Sequence, residues 1–100
     1  MVGLERIAGF DWDVGNALKS VDKHHVTPAE AEQVFFNEPL LMLEDVLHSA
    51  KEPRFHALGR TDGGRKLHVT FTLRAGGKLI RVISARDMNR KERVVYGEEA

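Results

Sequence analysis

From Lys66 to Arg86 the chain reads KLHVTFTLRAGGKLIRVISAR, two runs of β-branched and aromatic residues on either side of Gly76-Gly77. Alternation with a period of two is the signature of a half-buried strand. A Gly-Gly dipeptide reaches the positive φ angles that a tight hairpin turn requires. With Ala75 opposite Lys78, one face pairs Leu73 with Ile80, Phe71 with Val82 and Val69 with Ser84, and it is apolar. The other face carries Leu79, Thr72 with Arg81, Thr70 with Ile83, and His68 with Ala85, and it is mixed.

The rest of the pattern supplies the elements around this hairpin. Gly9 to Asp13 predicts a short strand in which Phe10 and Trp12 alternate with acids, and Asp13 suits a helix N-cap. Val14, Ala17, Leu18 and Val21 follow at helical spacing, so the first helix runs from there to Lys23-His24-His25, where a left-handed residue is expected. Thr27-Pro28-Ala29-Glu30 joins a Thr cap, Pro at the first helical position and the Glu of a capping box. Ala31, Val34 and Phe35 form the buried stripe of that second helix, and Asn37 with Pro39 stops it. Leu40 to Leu43 predicts a strand and Glu44 to Pro53 a polar loop.

Arg54 to Arg60 predicts the next strand, closed by Thr61-Asp62-Gly63-Gly64. A two-residue turn would set Arg54, His56 and Arg60 on the core face. A loop one residue longer sets them beside His68, Thr70, Thr72 and Arg81. The second register is preferred because burying two arginines in a small core is costly, and it makes Arg54, Arg60 and Arg81 converge. Asp87 is the expected cap of a last helix from Met88 to about Tyr96, with Met88 and Val95 inward. The order β-α-α-β-β-β-β-α predicts an α+β fold with an antiparallel sheet and helices mainly on one face.

Composition narrows the class. One hundred residues, 42% hydrophobic and 30% charged, imply a single globular domain over 1–100. The absence of cysteine excludes a disulfide scaffold and thiolate zinc sites and fits a cytoplasmic location. No run approaches a membrane span, and no signal-peptide pattern opens the chain. Residues 1–50 hold 3 Lys/Arg against 9 Asp/Glu, and residues 51–100 hold 12 against 6. That split suits either a basic surface for a polyanion or two halves that pair with each other.

Arg81 in mid-strand requires a carboxylate partner or an open surface, where its planar fork fits phosphate oxygens. With these residues in view, the chain resembles the BrnT toxins of bacterial type II toxin–antitoxin modules. The resemblance runs from FDWDVGN through KHHVTPAEAEQVF, HSAKEPRF and LGRTDGGR to IRVISARDMNRKERVVY. It departs from the family at Ser20, usually Asn, at His25, usually Gly, and at Pro53, usually a polar residue.

The resemblance implies a RelE-like fold and a ribosome-independent ribonuclease that arrests growth. It also implies a BrnA-like ribbon-helix-helix antitoxin encoded nearby and repression of the operon's operator DNA by the complex. A mechanism without metal or cofactor is then available: the RNA 2′-OH attacks the adjacent phosphorus, a base takes its proton, and cations stabilise the phosphorane. Arg54 and Arg81 are the candidates for the scissile phosphate, with Lys23, His24 and Glu52 as further catalytic candidates. Arg60 and Arg86 would hold flanking phosphates, and His68, Glu92 and Tyr96 would shape the substrate site. Each has a structural alternative: a salt bridge for the arginines, a helix-terminal cap for His24, a solvated carboxylate for Glu52, and pairing with Arg86 or Arg93 for Glu92. The same fold kept as an RNA-binding or antitoxin-pairing module without cleavage is the competing reading.

Overall fold

The computed structural model describes residues 4–48 and 51–99, so Ser49 and Ala50 of the polar loop lie outside the described residues. Its centre is the hairpin of β4 (Lys66–Arg74) and β5 (Leu79–Asp87), flanked by β3 (Arg54–Arg60) and β2 (Leu41–Glu44) on one side and β1 (Gly9–Phe10) on the other. Three helices complete it: α1 (Lys19–His24), α2 (Pro28–Val34) and α3 (Arg90–Glu99). The chain is therefore of mixed α+β class. The sheet order is β1-β5-β4-β3-β2, antiparallel throughout except that β1 runs parallel to β5. An all-antiparallel sheet is corrected to a mixed one.

The hairpin keeps the expected register near its turn, where Arg74 faces Leu79, Leu73 faces Ile80 and Phe71 faces Val82. Ala75, Gly76 and Gly77 all take positive φ, at 54°, 67° and 90°. Beyond Val82 the ladder slips: Thr70 faces Ser84 and Val69 faces Ala85, leaving Ile83 as an extra residue. Successive side chains on a strand alternate faces, so one extra residue reverses the assignment of everything after it. Ser84 and Arg86 thus join Arg81 on the polar face, and Ala85 moves to the core, contrary to simple alternation.

The core lies between this sheet and α2. Phe55, Ala57, Leu67, Val69, Phe71, Ile80, Val82 and Ala85 meet Val26, Ala31 and Val34, with Phe10, Trp12 and Phe35 packed around them. The capping box of α2 forms as read, with Thr27 accepting from the Glu30 amide and Glu30 from the Thr27 amide. Gly59 lets α2 approach β3, since a Cβ there would stand 2.6 Å from Val34 Cγ1.

The first helix differs from its prediction. Asp13 caps only a turn, donating no helix start; α1 begins at Lys19, and Val14 and Leu18 are 99% and 62% exposed. The buried side chains here are polar. Asn16 donates to Val82 O and Ser20 Oγ accepts from the Ala85 amide, so they satisfy the β5 edge beyond the end of β1. An unpaired edge needs such cover, and short polar side chains provide it without a strand. His25 closes α1 in the left-handed region, as the sequence suggested.

The last helix is capped by Asn89 rather than Asp87. Asn89 Oδ1 accepts from the Glu92 amide while Glu92 accepts from the Asn89 amide. Met88 and Tyr96 turn inward onto Leu58 and Leu41, and Val95 is 48% exposed. Helix α3 therefore lies on the sheet face opposite α2, over its β2–β3 side.

Candidate active site on the polar sheet face

Cross-strand pairs share a face, so the ladders define rows on the side away from α2. The first row is Arg54, Thr72 and Arg81; the second is His56, Thr70 and Ser84; the third is Leu58, His68 and Arg86. Arg54 and Arg81 stand two strand spacings apart, about 10 Å. This is the longer-loop register of the β3–β4 connection, in which Thr61 pairs with Arg65 and Gly64 takes φ of 87°. The preference against burying arginines selected the right face.

Most of the cations meet carboxylates. Arg81 donates to Asp13 at 3.0 and 3.1 Å and lies 3.4 Å from Asp11. Arg81 beside it holds the Asp13 carboxyl below its ordinary value. Arg86 forks onto Glu92 at 2.8 and 2.9 Å. Burial pushes the Glu92 carboxyl up, but Arg86 and the Asn89 amide more than offset this and leave it below 4.5. Arg74 binds Glu52, and Thr72 Oγ1 donates to Pro53 O, which fixes the end of the polar loop against the first row.

The second row is built around imidazoles. His56 Nε2 lies 2.8 Å from Asp45 Oδ2, and His56 Nδ1 lies 3.0 Å from Thr70 Oγ1. His48 approaches the same Asp45 at 2.9 Å. These contacts, His56 first, bring the Asp45 carboxyl down to about 2. The His56 and His68 rings lie 4.9 Å apart, and His68 is 3.8 Å from Glu92. Burial, with Arg86 nearby, pushes the His68 imidazole down. An apolar groove of about 660 Å³ adjoins this pair, floored by Leu41, Leu43 and Leu58 with Val95 and Lys91 at its α3 side.

Four expected members lie elsewhere. Arg60 ends β3 six residues from Arg54, about 20 Å along a strand, and donates to Glu38 O; the convergence of Arg54, Arg60 and Arg81 is corrected to Arg54 and Arg81 alone. Lys23 and His24 end α1, and the His24 and His25 carbonyls there accept from Arg65 beside Asp87. That places them about 17 Å along the sheet from the Arg54 row, five residues of β4 away. Tyr96 is buried, and its hydroxyl donates to Pro39 O.

The sequence reading missed Arg65, Asp45 and the use of His56. Arg65 binds Asp87 at 2.7 Å and Glu30 at 3.3 Å besides the two carbonyls, joining β4, β5, α2 and the Lys23–His25 turn. Its partners are 22 and 35 residues distant, so no local signal announces them. For His56, the only signal was its alternation with Arg54 on one strand.

Residues 12–92 match the family of the BrnT ribonuclease toxins of type II toxin–antitoxin systems. The chain belongs to the BrnT family. A BrnT protein is a ribonuclease toxin, and a type II module pairs it with an antitoxin. The match takes in all three rows and the Lys23-His24 turn of this BrnT chain, while Tyr96 lies beyond it. No curated protein matches the chain. No helix among the described residues is long and apolar enough to cross a membrane.

Proposed function

We propose that this BrnT chain is a metal-independent endoribonuclease that works without the ribosome, on a RelE-like scaffold, by attack of an RNA 2′-OH on the adjacent phosphate. The observation that carries the reading is the row Arg54–Thr72–Arg81 with the imidazole row directly beneath it on one polar face. Arg54 grips the scissile phosphate, where a cation stabilises the charge that develops on the phosphorane oxygens. Arg81 serves a neighbouring phosphate and Arg86, with His68 and Glu92, the flank below. Lys23, His24 and Arg60, at the far end of the sheet, bind the continuing RNA strand. Glu52, held by Arg74, orders the loop that leads into Arg54. A ribbon-helix-helix antitoxin encoded nearby neutralises the toxin, and the pair binds operator DNA.

The test is purified protein with a defined single-stranded RNA in the presence of EDTA. Fragments ending in 2′,3′-cyclic phosphate and 5′-hydroxyl are expected, with Arg54→Ala slower by about 10²-fold or more. Intact RNA, or cleavage only when Mg²⁺ is restored, would overturn the reading. The engagement of Arg81 with Asp13 and of Arg86 with Glu92 favours a second one, a module that pairs with antitoxin or RNA and does not cleave. Binding of the RNA without any product would establish that alternative.

A further inference from the structure

Among the described residues, His56 is the one imidazole of the polar face with an orienting carboxylate on one ring nitrogen and a hydroxyl on the other. We propose that Asp45, His56 and Thr70 form a proton relay that accepts the 2′-OH proton during RNA cleavage; the inference rests on the ribonuclease reading above. The geometry is that of an activated hydroxyl, with a base in hydrogen-bond reach of the oxygen and a third group orienting the base. Asp45, ionised down to about pH 2, accepts the Nε2 proton. The lone pair then lies on Nδ1, and the Thr70 hydroxyl donates to it across 3.0 Å.

Thr70 is partly exposed, one row from Arg54, two residues or about 7 Å along the sheet. A phosphate on Arg54 therefore brings the ribose of the attacking nucleotide over Thr70. The 2′-OH gives its proton to Thr70 Oγ1 as the proton of Thr70 passes to His56 Nδ1, and the imidazolium is stabilised by Asp45. The O2′–P bond forms and the P–O5′ bond breaks. The departing 5′ oxygen takes a proton from water, and His56 afterwards returns its proton to solvent.

Charged and titratable neighbours shape this proton transfer from every side. His68 on β4 lies tilted against His56, with Arg86 of β5 and Glu92 of α3 behind it. His48 shares Asp45, Arg54 lies on the same strand, and Lys91 of α3 lines the groove beside the ring. His68 is less well placed for the relay: among the described residues it has no hydroxyl partner, its carboxylate neighbour Glu92 stands 3.8 Å away, and it is desolvated, at 14% side-chain exposure against 30% for His56.

The experiment compares single-turnover cleavage of one RNA by the wild type, His56→Ala, Thr70→Val and Arg54→Ala across pH, with folding and RNA affinity measured beside it. Both relay variants are expected to bind RNA as the wild type does and to cleave about 10²–10⁴-fold more slowly. The wild-type rate falls on acidification as the accepting base takes up a proton, and that limb disappears in His56→Ala. Where His56→Ala fails to fold, Thr70→Val, which keeps the shape and removes the hydroxyl, decides alone. A folded Thr70→Val or His56→Ala that cleaves at the wild-type rate, while Arg54→Ala does not, overturns the relay and leaves the ribonuclease reading standing. A wild type that does not cleave overturns both.

Discussion

Arg65 shows how much one side chain holds in this protein. Its guanidinium spans two carboxylates and two carbonyls from three separate segments. Asp87, with Arg65 as the main cause, is held below its ordinary carboxyl value, and His24 adds to the effect. Removing the fork strands the carbonyls of the left-handed turn as well as two acids. Arg65→Ala is expected to cost about 2–3 kcal/mol, a fall in Tm of roughly 10–20 °C. Arg65→Lys, which keeps charge but loses the planar fork, should recover less than half of that. Thermal melts of the three proteins check it; equal melting of wild type and Arg65→Ala would remove Arg65 from this role. The anchoring also explains why the Lys23-His24 pair is ordered far from Arg54.

At the scale of elements, two backbone sites make sharp predictions. Ala75 holds φ of 54° at the head of the hairpin turn, a region where a Cβ costs roughly 1–2 kcal/mol. Ala75→Gly relieves that cost but adds unfolded-state entropy, so a net gain of about 0.5 kcal/mol is expected. A rise in the urea midpoint with unchanged slope is the readout. Gly59→Ala works in the opposite sense. Its Cβ would press on the Val34 side chain and lie 3.2 Å from the Val34 carbonyl oxygen, so α2 must move off β3. A loss of about 1–3 kcal/mol follows from such overpacking, and chemical denaturation measures it. The extra residue Ile83 acts on the same scale, since it decides that Arg86 faces the polar side.

Across the whole molecule, the charge split of the two halves is resolved partly by internal pairing. Arg81 of the basic half meets Asp11 and Asp13, and Arg65 meets Glu30. Arg86 and Arg74 instead find acids within their own half. The depressed carboxyls of Asp13, Glu30, Asp45, Asp87 and Glu92 make stability depend on pH. Each binds its proton more weakly when folded, so its contribution is complete above the ordinary 3.8 or 4.5 and is lost as pH falls through the lowered value. His68, lowered from 6.5, has the same sign and starts the decline earlier, because unfolding lets it take up a proton. Tm is expected to be level near neutrality, to slip below pH 6.5 and to drop steeply below about pH 4. A Tm that rose on acidification across that range would contradict the ion pairs described.

Local signals were legible because they act within a few residues. The Thr27–Glu30 capping box, the left-handed His25 and the glycine turn before β5 follow from backbone sterics and nearby donors, whatever the rest of the chain does. The register of β3 was legible too, since the alternative would bury Arg54 and Arg60 without partners. The polar inward face of Asn16 and Ser20 was not, because the need they meet is an open β5 edge created by a β1 only two residues long. Nor was the slip at Ile83, the partner chosen by each arginine, or the meeting of Asp45, His56 and Thr70. Those depend on groups brought together from distant segments, among alternatives that differ little in free energy until the sheet and its covering helices are assembled. The chemical inventory of the site was therefore written in the sequence, and only the tertiary structure decided which of its members stand together.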